Sequence, residues 1–595
     1  MSRMISLFKY YRHARGRVGS VRVRAPLLAF VLTLTVTTAP QWAHAQAAGS
    51  EWTTPSGTPQ GTRYSSLTQI TSANVGTLVE EFSFPTGTKA SHEGQPLVVG
   101  HTMYVVTPFP NKLIALDLRT PGKHLWTFDP DPDEFAQGVA CCDVVNRGAV
   151  YANGKIIYNV LDDTTVAVDA NTGQRVWRTR LGNVRRGETM TGPPIVIGDK
   201  VIVGNSGAEL GVRGWVQALN VNTGAPVWKA YNTGPDVDVK IGANFKAFYA
   251  KDRGTNLGST TWGGGTLWQQ GGSTSWSWMT YDPQLHLVYY GTANPGSWNP
   301  DIRPGDNKWG ATIFARNPDT GEAVWAYQLT PHESWDYDAI SENILVDLNI
   351  GGVLKKALVH FDKNGFAYTL DRATGQVLVA QKFANSVTWA SHVDLVTGAP
   401  VVNRDKEVHE GVITRNICPS ALGGKEWTPA SFSPNTKLFY VPAIKLCNNM
   451  EALKVLYIAG TPFLGMNLEI VVSGNMGELI AWDAVNGTRA WTVPEPLPLL
   501  GGTLATAGNV VFYGTLDKKF KAVNAATGAP LFEKQLECGI VGNPISFLGA
   551  DGKQRVAVYT GLGWVAGGFA GGACPAPGED STGPSSGAVH VFKLP

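Results

Sequence analysis

The chain has 595 residues, 43% of them hydrophobic and only 16% charged, with 49 Lys and Arg against 47 Asp and Glu. Such a chain can bury a large core, and 68 glycines with 19 tryptophans suit short strands and tight turns better than long solvated helices. A nucleic-acid binder is excluded: without residues 1–45 the balance is 42 basic to 47 acidic, a net of −5 that gives no reason to grip a phosphate backbone.

The first element is a leader. Arg3, Lys9, Arg12, Arg15, Arg17, Arg22 and Arg24 form a basic region with no Arg-Arg pair, an apolar stretch runs from Leu27 to Val36, and Ala43-His44-Ala45 matches a small-residue cleavage site. This pattern predicts a secretory signal over 1–45, a mature domain over 46–595 and export to the periplasm. The apolar stretch is short for a membrane span, and no second run approaches that length, so no span is expected in the mature chain. An exported chain with six Cys can form up to three disulfides. No Cys-x-x-Cys-His occurs, so no covalent haem is carried.

One pattern then recurs. Ala115-Leu-Asp117 precedes Gly122 and Trp126; Ala167-Val-Asp169 precedes Gly173 and Trp177; Ala218-Leu-Asn220 precedes Gly224 and Trp228. Further copies lie at Ala315–Trp325, Ala481–Trp491 and Ala522–Phe532, with a weaker one at Leu370–Gly375. In each, an apolar strand ends at Asp or Asn, whose side chain bonds the turn backbone, and Gly supplies a positive φ. The next strand carries a Trp able to pack between neighbouring sheets. Self-similarity near this spacing predicts an all-β propeller, four strands to a blade. The number of copies predicts eight blades, with Leu67–Ile70 and the terminal run Ala588–Phe592 sharing one blade to close the ring.

Cys141-Cys142 is the most unusual local feature. Adjacent Cα atoms lie about 3.8 Å apart, less than most disulfides span, so the residues alone leave two readings open: a strained ring or two separate thiols. Around them, Gly138–Gly148, Ser91–Leu97, Thr107–Lys112 and Gly61–Ile70 resemble, in order, the corresponding segments of the pyrroloquinoline quinone (PQQ) alcohol and methanol dehydrogenases. The repeat resembles the tryptophan-docking motif of the same quinoproteins, and the resemblance spans essentially the whole mature chain.

The resemblance implies a PQQ site. A Cys141–Cys142 disulfide would lie on one face of the quinone and Trp276 on the other, since a flat tricycle needs flat walls. Arg147 would pair with quinone carboxylates. Thr191, Ser206, Gly207, Ala208 and Thr274 would add donors, Glu93, Glu426 and Trp564 would contact the cofactor, and Lys363 would stabilise charge on its carbonyls. Leu500, where relatives carry Trp, would loosen the pocket floor. Glu209, Asn294, Asp336 and Asp338 would hold a cation, all through hard oxygen donors. Asp338, a small residue in calcium enzymes of this kind, gives three carboxylates in all and points to a lanthanide ion over Ca²⁺. Asp336 would act as general base on a small alcohol, methanol or another short primary one, giving an aldehyde. A separate soluble cytochrome c would take the electrons, and a homodimer is compatible with the family. The family also implies a Cys418–Cys447 disulfide; Cys538 and Cys574 then pair by elimination. The competing expectations are a calcium-dependent PQQ dehydrogenase for larger alcohols or aldoses, and a propeller that binds without catalysing.

Overall fold

A computed structural model describes residues 47–276, 278–571, 574 and 587–595. The leader expected over 1–45 lies outside the described residues. Among the described residues no helix is long and apolar enough to cross a membrane.

The described residues form eight sheets of four or five strands, with two smaller sheets beside them. Most are simple antiparallel meanders. In one, Ala149–Ala152, Lys155–Val160, Thr164–Asp169 and Arg175–Arg180 follow one another across the sheet. In another, Ile195–Ile197, Lys200–Gly204, Trp215–Asn220 and Pro226–Tyr231 do the same. The core lies between these sheets in successive apolar layers. Val150, Ile157 and Ala167 of the first pack with Val201, Val203 and Leu219 of the second. Ile195, Ile202 and Val216 then pack with Met279, Val288 and Phe314 of the next. Sheets stacked face to face in sequence order make this a β-propeller.

Residues of the repeat bond within their turns and from one sheet to the next. Asp169 Oδ1 accepts the Asn171 and Thr172 N–H groups at 3.0 and 2.8 Å, closing the turn, and Asn220 does likewise for Asn222 and Thr223. Trp177 reaches across to donate its Nε1–H to Val221 O at 3.1 Å; Trp228, Trp325 and Trp491 make the same bond to Pro318, Arg372 and Ala525. The repeat glycine lies beneath the preceding repeat's indole. A Cβ on Gly224 would meet Trp177 at 2.6 Å, and one on Gly321 would meet Trp228 at 2.5 Å. Glycine is required there both by that contact and by φ values of +71° and +73°.

One expectation is corrected. The terminal strand Ala588–Lys593 pairs antiparallel with Val79–Pro85, not with 67–70. Leu67–Ile70 runs alongside the same sheet through side chains, with Ile70 N–H on Gln554 Oε1 at 2.8 Å. Val79–Pro85 is an edge strand with no fully buried position, so its apolar alternation is weak.

Candidate active site

In a four-strand meander, the segment entering the first strand and the loop between the second and third open at the same end. The expected site residues use these positions repeatedly. Cys141 to Arg147 precede Ala149–Ala152, Thr191 precedes Ile195–Ile197, and Thr274 and Trp276 precede Met279–Asp282. Ser206 to Glu209 follow Lys200–Gly204, Asn294 follows Leu287–Gly291, and Lys363 follows Val353–Phe361. Topology thus brings segments from several sheets to one end of the molecule.

Cys141 and Cys142 are joined, as are Cys418 with Cys447 and Cys538 with Cys574. The Cys141–Cys142 ring is presented outward: Cys142 is exposed and has φ of 68°. The next residue, Asp143, accepts the Ser91 N–H at 3.0 Å, and Ser91 Oγ donates to Glu93 Oε1 at 3.3 Å. Glu93 Oε2 pairs with Arg147 Nη2 at 2.7 Å, both side chains buried. The Arg147 guanidinium lies 4.6 Å from the ring centre of Trp276 and 4.9 Å from that of Trp427. Ring loop, acid, arginine and indoles therefore form one continuous network. Burial pushes the Glu93 carboxyl up to about 7, against the pull of Arg147.

Thr191 and Ser206 share a hydrogen bond at 2.9 Å, and the Ser206 N–H is committed to Thr189 O at 2.7 Å. Gly207, at φ +109°, fits where a Cβ would strike Gly187 O at 2.2 Å. It turns the chain into Ala208–Leu210, which carries Glu209. Leu500 is packed in an apolar cluster with Leu516, Val541 and Leu562. Trp564 opens a short helix, and its side chain lies outside the described residues.

The acidic centre is gathered on one cation. Lys363 Nζ lies 3.0 Å from Asp336 Oδ2, 3.1 Å from Asp338 Oδ2 and 3.3 Å from Glu426 Oε1. Asp338 Oδ1 accepts the Asn294 N–H at 2.6 Å. Burial drives Asp336 well above the usual carboxylate range, opposed by Lys363 and reinforced by Asp338. Glu209 is pushed up to about 7 by its desolvation, with Asp338 and Glu426 adding repulsion and Lys363 opposing. Burial alone would lower Lys363, but Asp336, Asp338 and Glu426 together hold it well above the ordinary lysine value. Asp336 itself sits at φ 67°, a conformation held by its surroundings. Glu333 Oε1 accepts the N–H groups of Trp335 and Tyr337, at 2.5 and 2.9 Å, on either side of it.

The residues fit a quinone and a cation. Arg147 Nε, Thr274 Oγ1, Glu426 Oε2 and Trp427 Nε1 are buried polar atoms without a hydrogen-bond partner among the described residues. Native interiors rarely tolerate such atoms, and they suit a ligand rich in carboxylates and carbonyls. The Asn294 side chain stands beside Asp338, 3.1 Å from its Oδ1. Its amide donates to Asp338 and accepts from Trp298 Nε1 at 2.8 Å. Among the described residues no group of three acidic, His or Cys side chains has the spacing of a finished metal cage.

Three participants were not singled out from sequence: Trp427 beneath Arg147, Glu333 beneath the Asp336 loop, and Trp298 beside Asn294. Trp427 and Glu333 were at hand, bordering Glu426 and opening the Glu333–Asp338 segment. Trp298 had no local signal, since only folding brings it to Asn294.

Comparison with known proteins decides the family. The family model described as "PQQ: Glucose/ethanol/alcohol dehydrogenase, beta-propeller domain" matches residues 52–382 and 472–556. The chain belongs to this family. It is 49% identical over 510 residues to the lanthanide-dependent methanol dehydrogenase of Methylacidiphilum fumariolicum (strain SolV), covering 84% of this chain and 83% of that protein. It is 41% identical to methanol dehydrogenase [cytochrome c] subunit 1 of Methylobacterium organophilum, covering 86% and 84%. A solved structure titled europium-containing methanol dehydrogenase superposes with a TM-score of 0.88 at 45% identity, over 93% of this chain and all of that one.

Proposed function

We propose that this protein oxidises methanol or another short primary alcohol to the aldehyde, using PQQ and one lanthanide ion. The observation that carries this is the buried group of Asp336, Asp338, Glu426 and Lys363, with Glu209 and Asn294 at its edge and the Arg147–Trp276 wall beside it. Arg147, Thr191, Ser206, Thr274 and Trp276, with the Cys141–Cys142 ring, Glu93, Gly207, Ala208 and Trp564, would hold the quinone; Glu209, Asn294, Asp336 and Asp338 would hold the ion. When bound, the quinone would supply a two-electron, hydride-accepting centre and the ion a Lewis acid beside it.

The chain's own residues do the rest. Asp336 accepts the hydroxyl proton of the alcohol as its C–H bond breaks. Lys363, 3.0 Å away, holds that carboxylate in place. Glu333 fixes the backbone on both sides of Asp336, so the base approaches from one direction. Arg147, pinned by Glu93 and flanked by two indoles, supplies a fixed positive charge for an anionic cofactor. The two electrons then pass to a separate soluble cytochrome c in the periplasm, since the chain has no haem motif. Residues 1–45 are the export signal, and 46–595 form one eight-bladed ring held by tryptophan docking; the eight sheets and the Trp-to-carbonyl bonds support this.

The test is reconstitution of metal-free protein with PQQ plus either Ca²⁺ or a light lanthanide, followed by dye-linked alcohol oxidation. Activity with the lanthanide well above that with Ca²⁺ is expected. Equal or better activity with Ca²⁺ overturns the choice of metal, and no oxidation of any alcohol overturns the dehydrogenase.

A further inference from the structure

The charge balance around Lys363 is unusual. Glu209, Asp336, Asp338 and Glu426 bring four negative charges, and Lys363 is the cation that contacts three of them. Arg147 is already paired with Glu93 at 2.7 Å. Glu426 is buried, at 5% exposure, and offers one oxygen to Lys363 while the other, Oε2, has no partner among the described residues. Glu426 is held from behind: Lys425 Nζ donates to its carbonyl at 3.2 Å and is itself locked to Glu342 at 2.7 Å. It is thus fixed within reach of Lys363 and is not one of the four residues expected to ligate the ion.

We propose that Glu426 determines which cation charge the site accepts. By offsetting the charge of Lys363, it leaves the three negative charges of Glu209, Asp336 and Asp338 for a trivalent ion. Without it, Lys363 cancels one of the three, and the remaining charge matches a divalent ion. Coulomb energy scales with the product of charges, so one unit lost beside the site weakens a trivalent ion more than a divalent one. Glu426 acts here through Lys363 and is a specificity residue for the cation, separate from the proton transfer assigned to Asp336.

This inference rests on the proposed cation site, and its test separates the two. Terbium(III) is titrated into metal-free, PQQ-loaded protein, and its luminescence, sensitised by Trp298 beside Asn294, is read alone and in competition with Ca²⁺. The readout is the ratio of the two affinities, with no turnover required. Glu426→Gln should lower the terbium preference by at least about tenfold, while Glu426→Asp, which keeps the charge, should stay within about threefold of wild type. The double variant Glu426→Gln with Lys363→Met removes both charges and should restore the preference, a result that a purely structural role would not give. A Glu426→Gln ratio unchanged from wild type overturns the inference alone. Wild-type protein that binds no terbium overturns the cation site and the inference with it. If the Gln variant does not fold, Lys363→Met carries the test: it should raise the preference about tenfold, and an unchanged ratio overturns the inference.

Discussion

The turns of the repeat and the acidic centre use the same residue type to opposite effect. Asp169, in a turn, collects two backbone N–H groups and a threonine hydroxyl, and these bonds hold its carboxyl below the usual range. Asp336 is buried among other acids, shares one lysine with them, and is driven well above that range. A turn carboxylate is complete within its own five residues. The Asp336 group is not, and its neighbours leave Glu426 Oε2, Thr274 Oγ1 and Arg147 Nε without partners among the described residues. The repeat builds a rigid frame from locally satisfied parts, and that frame lets the other region keep groups that only a ligand completes.

If the contrast is correct, damage at the acidic centre should abolish chemistry and leave the frame standing. Asp336→Asn keeps the shape and removes the base, so turnover should fall by about 10²–10⁴-fold. The unfolding temperature should not fall, because burial penalises the charged carboxylate that Asn replaces, offsetting the lost pair with Lys363. Retained turnover in a steady-state alcohol assay would take Asp336 out of the base role.

The disulfides divide the same way. Cys418–Cys447 closes 29 residues of chain, and replacing both by Ala should cost roughly 3–4 kcal/mol of stability by loop-closure entropy. Cys141–Cys142 closes no loop at all. Its Ala pair should unfold at nearly the wild-type temperature yet lose PQQ on dialysis, measured by the absorbance of the released quinone. A large stability loss with tight PQQ retention would reverse these roles.

Acidity supplies a third comparison. Glu93 is raised from the ordinary glutamate value to about 7 by burial. The folded state therefore holds a proton that the unfolded state has released between about pH 4.5 and 7. A raised carboxyl contributes stability that is fully present below the unfolded value and is lost as pH rises through the folded one. The unfolding temperature of ligand-free protein should fall from pH 5 to pH 8, and Glu93→Gln should flatten that slope. An identical slope in the variant would mean that other buried acids set it.

Much of the frame was legible because the repeat states its physics locally: Asp or Asn for the turn, Gly for the left-handed backbone, Trp for the next sheet. The closing strand was misplaced because Val79–Pro85 sits at an edge with no fully buried position, which leaves little periodicity to read. The expected ligands were read through their matched segments, not through spacing, since Glu209, Asn294 and Asp336 lie in loops of different sheets. How the acids share Lys363 was invisible in sequence, because no local pattern records which of four distant carboxylates a lysine will touch.

The smallest expected effect tests the frame itself. Gly224 and Gly154 both lie in turns with left-handed backbones, at φ +71° and +75°. They differ in what lies above them. A Cβ on Gly224 would stand 2.6 Å from Trp177 Cε3 and 2.7 Å from Thr179 Oγ1, whereas one on Gly154 meets nothing within 4 Å. Gly154→Ala should therefore cost only the conformational penalty, about 1 kcal/mol. Gly224→Ala should cost that plus the displacement of Trp177, about 2–3 kcal/mol in all. The difference between the two unfolding free energies isolates the indole contact from the backbone strain, and neither variant should alter turnover. If the two cost the same, the glycine beneath each indole serves only the turn, and the sheets must be held together by the apolar layers between them.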